Sequence, residues 1–151
     1  MAFSSDRIHS SINEYSVLFK ACEQGDLQTL VNILNNVSAQ DICLIRDEQQ
    51  ATLAHYASRS GHIPILEYFI QKKHIDLSKL RTEHGATCAH DAAVCDQIQV
   101  LHFLLHYHQL NPLKTSQSFE KLRWNEQDQH GNTPLHLGNQ TEIRSFFISR
   151  N

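Results

Sequence analysis

Asp128-Gln-His-Gly-Asn-Thr-Pro-Leu-His-Leu137 is the stretch on which the reading of this chain turns. Thr133 suits a helix N-cap, because its hydroxyl can accept from an early backbone N–H. Pro134 follows at the first-turn position, where a missing N–H costs nothing. Gly131 suits a tight turn just before the helix. The same grammar stands upstream as Gly85-Ala-Thr87-Cys-Ala-His90-Asp-Ala-Ala93 and as Thr52-Leu-Ala-His55-Tyr-Ala57. A fainter copy is Ser16-Val-Leu-Phe-Lys-Ala21-Cys-Glu-Gln-Gly25-Asp26.

The spacings argue for a true repeat. Ser16 to Thr52 is 36 residues, Thr52 to Thr87 is 35 and Thr87 to Thr133 is 46. A second apolar cluster lies at a fixed offset in the first three copies, as Ile33-Leu34, Phe69-Ile70 and Leu104-Leu105. Small residues, Ala21, Ala57 and Ala92-Ala93, stand where two antiparallel helices must approach closely. Gly25 and Gly61 are placed to end a first helix and turn the chain into a second. That second helix shows helical spacing, as in Ile63, Ile65, Leu66, Phe69 and Ile70.

On these motifs the chain resembles the ankyrin-repeat family from about Tyr15 to its C-terminus, with periods near the usual value of about 33 residues. The resemblance implies an all-α solenoid of stacked helix–turn–helix units with projecting hairpin loops. Units are expected at about 15–46, 47–81, 82–127 and a truncated 128–151. None buries its apolar face alone, so the array is stable only as a stack. The histidines of the T-P-L-H position, His55, His90 and His136, are expected to tie neighbouring loops together by hydrogen bonds.

Several positions depart from the pattern. Gln50 stands where the first hairpin would carry Gly, which puts that turn's geometry in question, and Asp96 replaces the Gly of an inter-helix turn. Residues 109–123 are an insertion, read as a tolerated surface loop because loop length costs little; the alternative is an enlarged binding finger. Ile8, Ile12 and Tyr15 fall at helical spacing, so residues 1–14 are either a lid helix or a tail. Ile143, Phe146 and Phe147 are expected to close the far end of the stack.

Composition excludes several classes. With 13 basic and 16 acidic residues in 151, and no long run of either sign, the chain lacks the basic face of a nucleic-acid binder. No apolar stretch approaches the roughly 20 residues of a membrane span, and Met1 to Ser5 carries no secretory n-region. Cys22, Cys43, Cys88 and Cys95 form no C-x-x-C pair, so reduced thiols in a cytoplasmic setting are expected.

Eleven histidines raise the question of a metal. His102 and His106 are an i, i+4 pair, but no Cys or acidic ligand stands in register with them, and no metal or cofactor is expected. Pairing Cys88 or Cys95 with His90 or His84 as nucleophile and base has no support beyond proximity. Cys88 is expected to be a semi-buried filler, and no enzymatic activity is expected.

Ankyrin proteins bind partners through loop tips and the exposed side of the first helices. Carried over position by position, the resemblance places Arg46, Glu48, Gln49, Tyr56 and Arg59 on that surface. It adds Arg81, Glu83, His84, Asp91 and Val94 from the next unit, and Gln129, His130 and Asn132 from the last. Tyr56, Arg59 and Arg81 are the preferred anchors, since Tyr and Arg are enriched at interface hot spots. The expectation is therefore a monomeric module whose partner is another protein, an adaptor in type. The Gly85–Ala93 phrase also resembles ankyrin units of espin-type actin-bundling scaffolds. The wealth of Asn and Gln resembles ankyrin effectors of intracellular bacterial pathogens, which work in a host cytoplasm.

Overall fold

The computed structural model describes residues 5–109, 126–138, 144, 145 and 148, and for 5–14 and 105–109 the backbone alone. Residues 110–123 of the insertion, the closing residues Ile143, Phe146 and Phe147, and the side chains of Ile8, Ile12 and His106 lie outside that description. The helices are α1 (Ser5–Gln24), α2 (Leu27–Leu34), α3 (Ala39–Leu44), α4 (Leu53–Ser60), α5 (Ile63–Glu67), α6 (Cys88–Val94), α7 (Ile98–Gln109) and α8 (Pro134–Leu137). A π-helical turn, Tyr68–Lys72, extends α5, and a 3₁₀ turn covers Leu77–Lys79. Among the described residues extended pairing is limited to one isolated bridge, Arg46 with Thr52.

The helices form the all-α solenoid that the repeats imply. First helices stack in one layer, α1 on α4, α4 on α6 and α6 on α8. The second helices α2, α5 and α7 each pack back on the first helix that precedes them. Ala21, Ala57, Ala92 and Ala93 are all buried, and their small side chains let these layers approach. Leu30, Leu66 and Leu101, one from each second helix at the same repeat position, are also buried and join the core.

The capping threonines follow the sequence grammar. Thr52, Thr87 and Thr133 are the N-caps of α4, α6 and α8 in extended backbone. Ser16 is not a cap, because α1 begins at Ser5 and runs straight through it.

Two apolar residues of the first helix pair are exposed. Val17 is 46% and Ile33 36% exposed, whereas their repeat equivalents Leu53 and Phe69 are each 1% exposed. α1 packs against α4, the helix that carries Leu53.

Gln50 settles the question raised by its missing glycine. Its φ of 61° matches the left-handed turn that Gly85 and Gly131 adopt at 77°. The hairpin therefore keeps its geometry, with the backbone of a non-glycine residue held in the left-handed region. Asp96 is likewise left-handed at φ 56°, where Gly25 and Gly61 stand in the earlier turns. Its Oδ1 is buried with no hydrogen-bond partner among the described residues. Asp96→Gly is therefore expected to raise unfolding free energy by about 1–2 kcal/mol, from relieved backbone strain and a removed unsatisfied oxygen. Urea denaturation checks this, and a midpoint no higher than wild type would refute it.

Candidate partner-binding surface

Three hairpin fingers are built to one plan, five residues before each capping threonine. In the first, Asp47 N donates to Ala51 O at 3.0 Å and Gln50 N to Asp47 O at 3.0 Å. Asp47 Oδ1 also accepts from Gln49 N at 2.9 Å and Ala51 N at 2.8 Å, so one carboxylate organises the whole turn. Asp128 does the same for His130 N and Asn132 N in the third finger. In the second, the Thr82 hydroxyl accepts from Ala86 N at 3.1 Å. Asp47 and Asp128 were absent from the surface expected from sequence, although their fixed offset from Thr52 and Thr133 is a signal that could have found them.

The fingers are latched to one another at their tips. Glu83 N donates to Gln49 O at 2.8 Å, and Gln129 N to His84 O at 2.8 Å. Gln129 Nε2 adds a bond to Glu83 O at 2.7 Å. At their bases the buried histidines complete the ladder. His55 Nδ1 accepts from Thr52 N and Thr52 Oγ1, while Nε2 donates to Ala86 O at 3.1 Å in the next finger. His90 repeats this with Thr87 and with Asn132 O, at 2.9 Å. Both rings are thereby in the neutral Nε2–H form. Burial drives the His55 pKa down to about 4 and the His90 pKa in the same direction. His136 is the last of the row, and its Nδ1 is bonded within its own cap to Thr133.

A second ladder of posts escaped the sequence reading. His62 Nε2 donates to Glu23 O at 2.8 Å, and Gln97 Nε2 to Arg59 O at 2.9 Å. Each post lies against the glycine that ends the preceding first helix. A Cβ on Gly25 would come within 2.7 Å of His62 Nδ1, and one on Gly61 would run into the Gln97 carboxamide. These glycines therefore serve both a left-handed turn and a close approach. The signal was available in principle, since His62 and Gln97 share one repeat position.

Placed on this frame, the expected surface residues divide. Glu48, Gln49, Glu83, His84, Gln129 and His130 are exposed at the tips. Val94 is 50% exposed near the end of α6. The three preferred anchors are instead engaged within the chain. Tyr56 donates to Asp47 Oδ2 at 2.8 Å and packs on Phe19 with ring centroids 4.7 Å apart. Burial and the adjacent Asp47 push its hydroxyl pKa up to about 12. Arg59 lies over the Tyr56 ring and pairs through Nε with Asp91 Oδ2 at 3.0 Å. Arg81 bonds Ser78 O and pairs with Glu126 at 2.8 Å. Arg46 is a strut, donating to Cys43 O, Gln50 O and Arg81 O across two fingers. Asn132 is half-buried, and its carbonyl receives the His90 bond.

Asp91 requires a correction. Its expected place was on the open side of the first helix, but it is only 9% exposed, lying beneath Arg59. Burial outweighs the Arg59 charge and lifts its pKa to about 6. The reason is the register of α6 against α4, which turns Asp91 towards the guanidinium of the preceding helix. Cys88 is likewise fully buried rather than semi-buried, with its thiol pushed up to about 12 by burial and by Asp91. A thiol so hard to ionise is a core residue and not a nucleophile. All four cysteines are free.

Among the described residues no group of three or more His, Cys, Asp or Glu side chains is placed to hold a metal ion, and no helix is long and apolar enough to cross a membrane. No curated protein matches the chain. Residues 18–116 match the family model described as ankyrin repeats (3 copies), two-thirds of the sequence. Together with the histidine-tied fingers and stacked helix pairs, this shows that the chain belongs to the ankyrin-repeat family.

Proposed function

We propose that this chain is a non-catalytic adaptor that binds a partner protein along the ridge of its finger tips and the adjoining exposed side of α6. One observation carries the reading: the tips are latched backbone to backbone, so Glu48, Gln49, Glu83, His84, Gln129 and His130 stand on one rigid ridge. Preorganisation of this kind lowers the ordering cost of association. Tyr56, Arg59, Arg81, Asp91 and Arg46 are bonded within the chain, so their substitution tests folding as much as binding. The exposed carboxylates of Glu48 and Glu83 favour a partner face with basic and hydrogen-bonding groups, and Val94 adds an exposed apolar side chain on α6. The ridge is proposed to work in a cytoplasm, as a monomer. The Asn- and Gln-rich composition supports a host cytoplasm, reached as a delivered effector.

The test is a Glu48→Lys, Glu83→Lys, Val94→Glu variant, which touches exposed side chains. It is expected to unfold at the wild-type temperature within a few degrees and to lose at least about tenfold in partner affinity, roughly 1.4 kcal/mol. Quantitative affinity capture followed by titration of the captured protein reads this out. Unchanged affinity would remove the ridge from consideration.

A further inference from the structure

We propose that His84 and His130 form a site for one divalent transition-metal ion, of the zinc or nickel class, bridging the second and third fingers. The sequence places its only helical histidine pair on α7, at His102 and His106; the solenoid brings together a different pair, 46 residues apart. Both residues stand three positions before a capping threonine, so stacking of the repeats sets them side by side. Their ring centroids are 5.8 Å apart with the planes at 38°. Two imidazoles bonded to one zinc ion at about 2.0–2.1 Å have ring centres about 5–6 Å apart, and the observed spacing falls in that range.

Three further features favour an ion here. The backbones carrying the rings are already locked by Gln129 N to His84 O and by Gln129 Nε2 to Glu83 O, so binding need not order the fingers. Both rings are exposed, and no hydrogen bond to either ring is found among the described residues. His55 and His90 differ, because both nitrogens of each ring are occupied within the ladder. Among the described residues the site has two ligands and no third, since no larger cluster of ligating side chains is present there. The remaining positions go to water or to a side chain brought by another molecule, which makes the site an open one.

Isothermal titration of zinc chloride into the whole chain at neutral pH tests this, with circular dichroism to confirm that each variant is folded. One saturable equivalent is expected for the wild type and for His74→Asn, a control at an exposed histidine away from the fingers. His84→Ala and His130→Ala are each expected to bind at least tenfold more weakly. In heteronuclear spectra, the ring signals of His84 and His130 should move together as zinc is added. Absence of a saturable equivalent overturns the site. So does binding that survives both alanine variants, or that leaves those two ring signals unmoved, which would place the ion elsewhere.

Discussion

His55→Ala is expected to lower the unfolding free energy by about 3 kcal/mol, a large part of the 5–15 kcal/mol typical of a whole domain. The ring is fully buried and joins three polar groups: Thr52 N, Thr52 Oγ1 and Ala86 O. Its removal opens a cavity and strands those partners, and the two costs add. His136→Ala is the internal control. That ring is exposed and bonded to its own cap, so a loss of about 0.5–1 kcal/mol is expected. Urea denaturation of the two variants decides the matter; equal losses would show that the inter-finger bond contributes nothing.

The same histidine gives the fold an acid sensitivity with a defined sign. Its folded pKa of about 4 lies below the ordinary 6.5. Above pH 6.5 both states are neutral there and the stabilisation is complete. As the pH falls from 6.5 towards 4, the unfolded chain takes up the proton first and stability drains away, by as much as about 3 kcal/mol. Asp91 works in the opposite sense. Its folded pKa is raised from 3.8 to about 6, so lowering the pH through that window favours the folded state. The two therefore offset each other in the wild type. Asp91→Asn removes the compensation, and its stability is expected to fall more steeply between pH 6.5 and 4 than that of the wild type. Denaturation midpoints across that range measure it, and parallel profiles would contradict the assignment.

Gly61→Val is the second large effect, with an expected loss of about 3 kcal/mol. A β-branched side chain is strongly disfavoured at the observed φ of 79°. Its Cβ also lands on the Gln97 carboxamide, which must swing away and give up its bond to Arg59 O. Gly131→Val separates the two causes. That residue has φ 77° but open space where the Cβ would go, so a loss of about 1–2 kcal/mol is expected from backbone strain alone. Thermal unfolding of both variants reads the difference. Equal losses would mean that the Gln97 post carries no weight.

Much of the fold was legible in local grammar. The capping threonines, Pro134, the turn glycines and the small alanines each act within one helix or turn, so residue type and spacing suffice to place them. His55 and His90 were legible because their position recurs with the threonine that they bond. The anchors were not. Tyr56, Arg59 and Arg81 have the chemistry of interface residues, and only their neighbours Asp47, Asp91 and Glu126 show them to be held within the chain. Asp91 was misplaced for the same reason, since its burial depends on the rotation of α6 against α4. Sequence by itself determined the repeat, its caps and the places of His55 and His90, because those are short-range matters of propensity and hydrogen bonding. Only the tertiary structure decided which polar side chains remain free, and which histidines meet, because both follow from how one unit is rotated and seated upon the next.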